Sequence, residues 1–192
     1  MAGRTDSRAN ARRTASGEDA DALRDVVDRV IDQWSAARPD VDASTIGVFG
    51  RITRAHGTAS QLRQELHDRH GLTSATFDVL SSLRRAGAPY RQTAGELAAY
   101  SQVTSGGVTF RLDKMENEGL IRRTRPKADR RLVYAELTEA GLAKIDAVFE
   151  DYIALERRML AGLTAEEQGE LADLLRKLAL SLKAVRASSD ER

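Results

Sequence analysis

Apolar side chains recur at helical spacing over most of the chain. Leu23, Val26, Val27, Val30, Ile31 and Trp34 make one stripe, preceded by Ser16-Gly-Glu-Asp19, which has the outline of a capping box, and closed by Pro39-Asp40. A second helix is expected after Asp42, with Ile52, Ala55, Ala59, Leu62 and Leu66 on one side and Gly71 at its end. Thr73 opens a third carrying Phe77, Leu80 and Leu83, which Gly87-Ala-Pro89 stops. Thr93-Ala-Gly-Glu96 is a full capping box and starts a short helix ending near Tyr100. After a turn at Ser101-Gln-Val103, Thr104 begins a longer helix that runs to Gly119, a residue suited to a C-cap.

Beyond Gly119 the period shortens. Leu120–Thr124 and Leu132–Leu137 read as strands around a charged tip, Arg125–Arg131, and together predict a β-hairpin. Two long helices follow. Thr138 caps one bearing Leu142, Ile145, Phe149, Tyr152 and Ile153, and Thr164-Ala-Glu-Glu167 caps one bearing Leu171, Leu174, Leu175, Leu178, Leu182 and Val185. No internal repeat is present.

A short helix, a tight turn, a second helix and a basic hairpin make the winged helix-turn-helix plan. The expected class is therefore mainly α with a small β wing, with N- and C-terminal helices whose apolar stripes suit dimerisation. The division expected is a disordered basic arm at 1–17, N-terminal helices at 18–72, the winged helix-turn-helix at 73–141, C-terminal dimerisation helices at 142–186 and a tail at 187–192. The arm carries Arg4, Arg8, Arg12 and Arg13 with almost nothing to bury.

Composition narrows the function. A hydrophobic fraction of 41% supports a core, and a net charge of +1 excludes a wholesale polycation. With no cysteine, disulfides, thiolate metal sites and thiol redox sensing are excluded. No apolar run approaches the ~20 residues of a membrane span, and no hydrophobic segment follows the N-terminal arginines, so a cytoplasmic protein is expected. His56, His67 and His70 lack a companion cluster of ligand spacing, so no metal and no cofactor is expected. Neither a phosphate-binding glycine loop nor a nucleophile motif appears, and no enzyme is expected.

The positive charge is local. Between Thr104 and Arg131 stand eight basic residues (Arg111, Lys114, Arg122, Arg123, Arg125, Lys127, Arg130, Arg131) against four acidic ones, a net of +4 that leaves −3 for the rest. On a winged helix that is the footprint of a phosphate backbone. At about 100° per residue, Val108, Leu112 and Met115 of the longer helix turn inward, while Gly106, Phe110 and Asp113 lie opposite, flanked by Thr109 and Lys114. Phe110 on that side could touch a thymine methyl or pack on a neighbour. Arg111 sits at the edge of the inward stripe, where a guanidinium can turn to the crevice behind the helix.

These residues resemble the multiple-antibiotic-resistance-regulator (MarR) family of bacterial transcription factors over about residues 40–185. The resemblance is carried by Ser105-Gly-Gly-Val-Thr-Phe-Arg-Leu-Asp-Lys-Met-Glu-Asn-Glu-Gly-Leu-Ile121 and by Asp129-Arg-Arg-Leu-Val-Tyr-Ala-Glu-Leu-Thr-Glu-Ala-Gly141. It implies a homodimer bound to a pseudo-palindromic operator in double-stranded DNA, most simply as a repressor. Gln102, Thr104, Ser105, Gly106, Thr109 and Phe110 would meet the major groove, and Arg130 and Arg131 of the wing the backbone or minor groove; Lys114, set beside them by the helical angle, is expected to contact DNA as well. Phe110 departs from the polar residue that relatives carry there.

A narrower resemblance, to the urate-responsive branch of the family, covers Trp34, Asp78, Arg111 and Arg123 together with Ala37-Arg-Pro-Asp40, Gly71-Leu72 and Leu83-Arg-Arg-Ala-Gly-Ala-Pro-Tyr90. It implies that Trp34 and Arg111 hold a planar anion, that Asp78 senses it, and that Arg123 relays the event to the DNA-reading helix. Urate, another purine and a small tricarboxylate-like acid all fit this chemistry. Taken singly, Trp34 also reads as interface core, and Asp78 with Arg123 as a structural salt bridge. An effector-independent repressor or an architectural DNA-binding protein is the alternative.

Overall fold

The computed structural model describes residues 24–100, 105–125 and 132–190. The capping box expected at Ser16–Asp19 and the arm at 1–17 lie outside these. The elements are α1 (Val26–Ala37), α2 (Ile46–Arg69), α3 (Ser74–Arg85), β1 (Arg91–Thr93), α4 (Ala94–Tyr100), α5 (Ser105–Asn117), β2 (Ile121–Thr124), β3 (Tyr134–Leu137), α6 (Glu139–Met159) and α7 (Ala165–Asp190). They fall into two compact units that divide between Ser60 and Gln61, inside α2.

In the first unit Asp25 caps α1. Its carboxylate accepts from the Val27 and Asp28 amides, and the Asp28 carboxylate reaches back to the Asp25 amide. Arg51 of α2 binds both carboxylates, at 3.1 Å and 2.8 Å, and holds Asp28 down to about 2. Gly50 lets the helices close up, because a Cβ there would meet Val27 at 3.0 Å. The second helix begins at Ile46 rather than directly after Asp42, whose carboxylate instead accepts from the Ser44 amide and holds a turn.

The second unit contains a continuous core of Leu66, Leu72, Phe77, Leu80, Leu83, Leu97, Leu112, Met115, Ile121, Leu137, Ile145, Val148 and Leu155. Gly71, at φ +64°, ends α2. Thr73 caps α3, and Thr93 and Glu96 exchange the two hydrogen bonds of the expected box at 2.7 Å and 3.2 Å. Thr93 also ends a strand the hydrophobic pattern does not reveal. The sheet is three-stranded, antiparallel, in the order β1-β3-β2, with Thr93 opposite Tyr134 and Ile121 opposite Leu137. Strand β1 is three residues long, too short for an alternation to register.

The apolar side of α6 holds Leu142, Ile145 and Tyr152 against the core as expected, but is shifted at its edge. Ile145, Val148 and Leu155 are buried while Phe149 is exposed. Arg84 of α3 pairs with Asp146 of α6 at 2.7 Å. The first turn of α6 is seated on the foot of the hairpin. The Thr138 hydroxyl donates to the Gly119 carbonyl at 2.7 Å and accepts from the Gly141 amide at 3.0 Å, while the Thr138 amide donates to Leu120 at 3.1 Å. A Cβ on Gly141 would stand 1.9 Å from the Leu120 carbonyl oxygen.

Helix α7 opens on the expected box, Thr164 and Glu167 bonding reciprocally at 2.7 Å and 3.2 Å. It continues to Asp190, beyond the boundary expected at 186. The added turn carries no apolar repeat, and its Ser188 and Ser189 hydroxyls donate to the Val185 carbonyl.

Candidate DNA-reading helix and effector residues

Helix α5 presents two opposite faces. Leu112 and Met115 are buried against the core. Phe110 is 73% exposed on the other side, with Thr109, Asp113 and Lys114 exposed around it. Within this chain, then, Phe110 does not pack on a described neighbour as a core residue would. Lys114 pairs with Glu118 one turn on at 3.7 Å. Ser105 and Gly106 lie in the first turn of α5. Gln102, Thr104, Arg130 and Arg131 are outside the described residues, as is the rest of the tip at 126–131.

Arg123 of β2 is the central ion-pairing group here. Its guanidinium reaches Asp113 at 2.5 Å and Glu116 at 3.1 Å, both on α5, and its amide donates to Glu116 at 3.0 Å. The reading of Asp78 and Arg123 as a salt bridge is thus corrected. The two carboxylates nearest to hand on α5 hold Arg123, and Asp78 is exposed on α3 with no hydrogen bond or ion pair to a described residue. Arg111 is half-buried at the edge of the α5 stripe, likewise without a described polar partner. On the next strand position Arg122 pairs with Glu136 of β3, which also accepts from Thr124 at 3.3 Å, and Arg91 lies 4.8 Å from the Tyr134 ring.

Residues 70–132 match the model described as MarR family. Over 149 residues the chain is 32% identical to the HTH-type transcriptional regulator PecS of Dickeya dadantii, covering 78% of this chain and 90% of that protein. The chain belongs to the MarR family. Its structure is similar to that of a mutant MarR from E. coli complexed with operator DNA, with a TM-score of 0.60 and 29% identity over 70% of this chain and 96% of that one. It is also similar to the organohalide-sensing RdhR transcriptional regulator in its 2,4-dichlorophenol bound form, with a TM-score of 0.58 and 25% identity, covering 68% and 76%. This MarR-family chain is accordingly a DNA-binding transcriptional regulator, and no described helix is long and apolar enough to cross a membrane.

The remaining candidate effector residue, Trp34, belongs to the first unit. It is half exposed and lines a groove of about 250 Å³ with Arg38, Val41, Asp42, Ala43, Thr45 and Ile46. Arg38 is held there by Asp40 at 2.6 Å.

Sequence reasoning overlooks a buried aromatic stack in this MarR-family protein. His67, 3% exposed, lies 4.7 Å from Phe77 and 6.3 Å from Tyr152, and Phe77 lies 4.9 Å from Tyr152. Ser74 Oγ donates to Gln64 and sits 3.1 Å from His67 Nδ1, so it accepts there and Nδ1 carries the proton. The bare Nε2 is buried without a partner among the described residues. Burial pushes the imidazole below its ordinary value, against the opposing pull of Asp78 and Asp68. A single histidine on a helix has no hydrophobic signature, and its ring partners Phe77 and Tyr152 stand on other helices. Among the described residues no three His, Asp or Glu side chains are gathered as a metal site would need.

Proposed function

We propose that this regulator is a homodimeric repressor that binds a pseudo-palindromic operator and is released by a small planar or carboxylate-bearing anion such as urate. The observation that carries the reading is the double ion pair of Arg123. One guanidinium joins the wing strand to the outer half of α5, so a charge that draws Arg123 away alters how the DNA-reading helix is held. Asp78 supplies an exposed carboxylate that an incoming anion would displace or oblige to take up a proton from solvent, and Arg111 a guanidinium with which an anion pairs. A coupling of about 1–3 kcal/mol between ligand and operator would lower DNA affinity roughly 5–150-fold.

The homodimer is supported by the uncovered face of α7, and operator binding by the solved relative complexed with operator DNA. The testing experiment is an electrophoretic shift on the protein's own upstream intergenic DNA, with and without urate. A specific complex dissolved by urate is expected, and Arg111→Ala should lose the urate response while retaining the shift. A complex indifferent to urate and to other small anions would end the effector reading. Equal loss of shift and response in Arg111→Ala would make Arg111 a DNA contact.

A further inference from the structure

Phe110 is a large apolar side chain set where a DNA-reading helix would meet bases. At about 100° per residue it lies about 170° from the mean direction of the buried Leu112 and Met115, squarely opposite the core. Its 73% exposure is the highest among the exposed large apolar residues described. An uncovered aromatic ring at the middle of a polar face leaves apolar surface in water for no gain within the chain.

The surroundings select the occupant. Asp113, the acidic neighbour on one flank, has its charge met by Arg123, and Lys114 stands on the other flank. That face is therefore not left repelling phosphate. A phenyl ring can neither donate to nor accept from a base edge, so against G·C it would leave buried polar groups unpaired. The one apolar feature the major groove offers is the C5-methyl of thymine. We infer that Phe110 is a specificity-determining residue that packs on a thymine C5-methyl in each operator half-site. This rests on the operator-binding reading above.

The test uses the full chain and the duplex protected in its upstream intergenic DNA, each thymine of a half-site being replaced in turn by deoxyuridine. The replacement keeps every hydrogen-bonding group and removes only the methyl. Loss of one buried methyl should weaken binding about fourfold at one position per half-site. Phe110→Ala should bind thymine and uracil there equally, and Phe110→Leu should keep part of the difference. Because the ring is exposed, both variants should retain wild-type helicity and melting.

Uracil tolerated at every position overturns the inference while leaving the operator reading intact. So does Phe110→Ala that keeps the wild-type sensitivity, or that changes the oligomeric state without changing the thymine preference. No protected duplex at all would overturn both readings.

Discussion

Helices α6 and α7 carry the same kind of amphipathic repeat and meet opposite fates. Ile145 and Val148 of α6 are sealed against α3 and the sheet, Ile145 at 1% exposure. On α7 Leu174 stands 61% exposed and no residue whose burial is described is buried. A periodic apolar stripe thus states that a face is to be covered, and says nothing of what covers it. Helix α6 finds its cover within the chain. Helix α7, which is long, capped and apolar on one side, has its cover supplied by a second copy under the proposed homodimer.

The sharpest way to break this contrast is at the seat of α6. Gly141→Ala should cost more than about 3 kcal/mol, because its Cβ would collide with backbone that cannot rotate away. Denaturant unfolding measures this, and a near-wild-type midpoint would show that the junction can yield. Next, Ile145→Ala should cost about 2–5 kcal/mol at any protein concentration. By contrast, Leu174→Glu with Val185→Glu should act on association, raising the dimer dissociation constant about 100-fold or more in sedimentation. A dimer unaffected by the pair of glutamates would remove α7 from the interface.

Smaller effects probe the charged parts. Arg130→Ala with Arg131→Ala should weaken binding to all sequences alike and flatten the salt slope by about 0.9 for each phosphate no longer neutralised; an unchanged slope would discard the wing's role in holding the backbone. The smallest effect concerns His67. Its folded-state value lies below that of the unfolded chain, so the unfolded state takes up the proton first. Its contribution is fully present above the unfolded value near 6.5 and is lost as the pH falls from there through the folded one. His67→Phe should therefore flatten the decline in denaturant midpoint between about pH 7 and pH 5, and an unchanged decline would place the proton uptake elsewhere.

The residues that made the fold legible are those whose local chemistry is self-contained. Thr93 with Glu96, Thr138 with Gly141 and Thr164 with Glu167 each mark a helix start by a bond spanning three residues, and all three are found. What stayed hidden depends on distant partners. Strand β1 exists because β3 offers it an edge, and Phe149 points outward because Val148 and Leu155 fill the contact with the core. At the candidate site, exposure of Phe110 and the edge position of Arg111 follow from the helical angle, and the structure bears both out. The partners of Arg123 do not follow, since a guanidinium on a strand can reach any of several carboxylates and only the packing of β2 on α5 decides among them.

The clasp of Thr138 and Gly141 on the foot of the hairpin turns that hairpin into a lever. Its strand β2 is four residues long, about 13 Å at the rise of an extended chain. Treated as a rigid arm, it would carry a tilt of about 5° in the first turn of α6 into a displacement of about 1 Å at the far end. That is a substantial part of a hydrogen-bond length, delivered to the end of the strand that leads into Arg125.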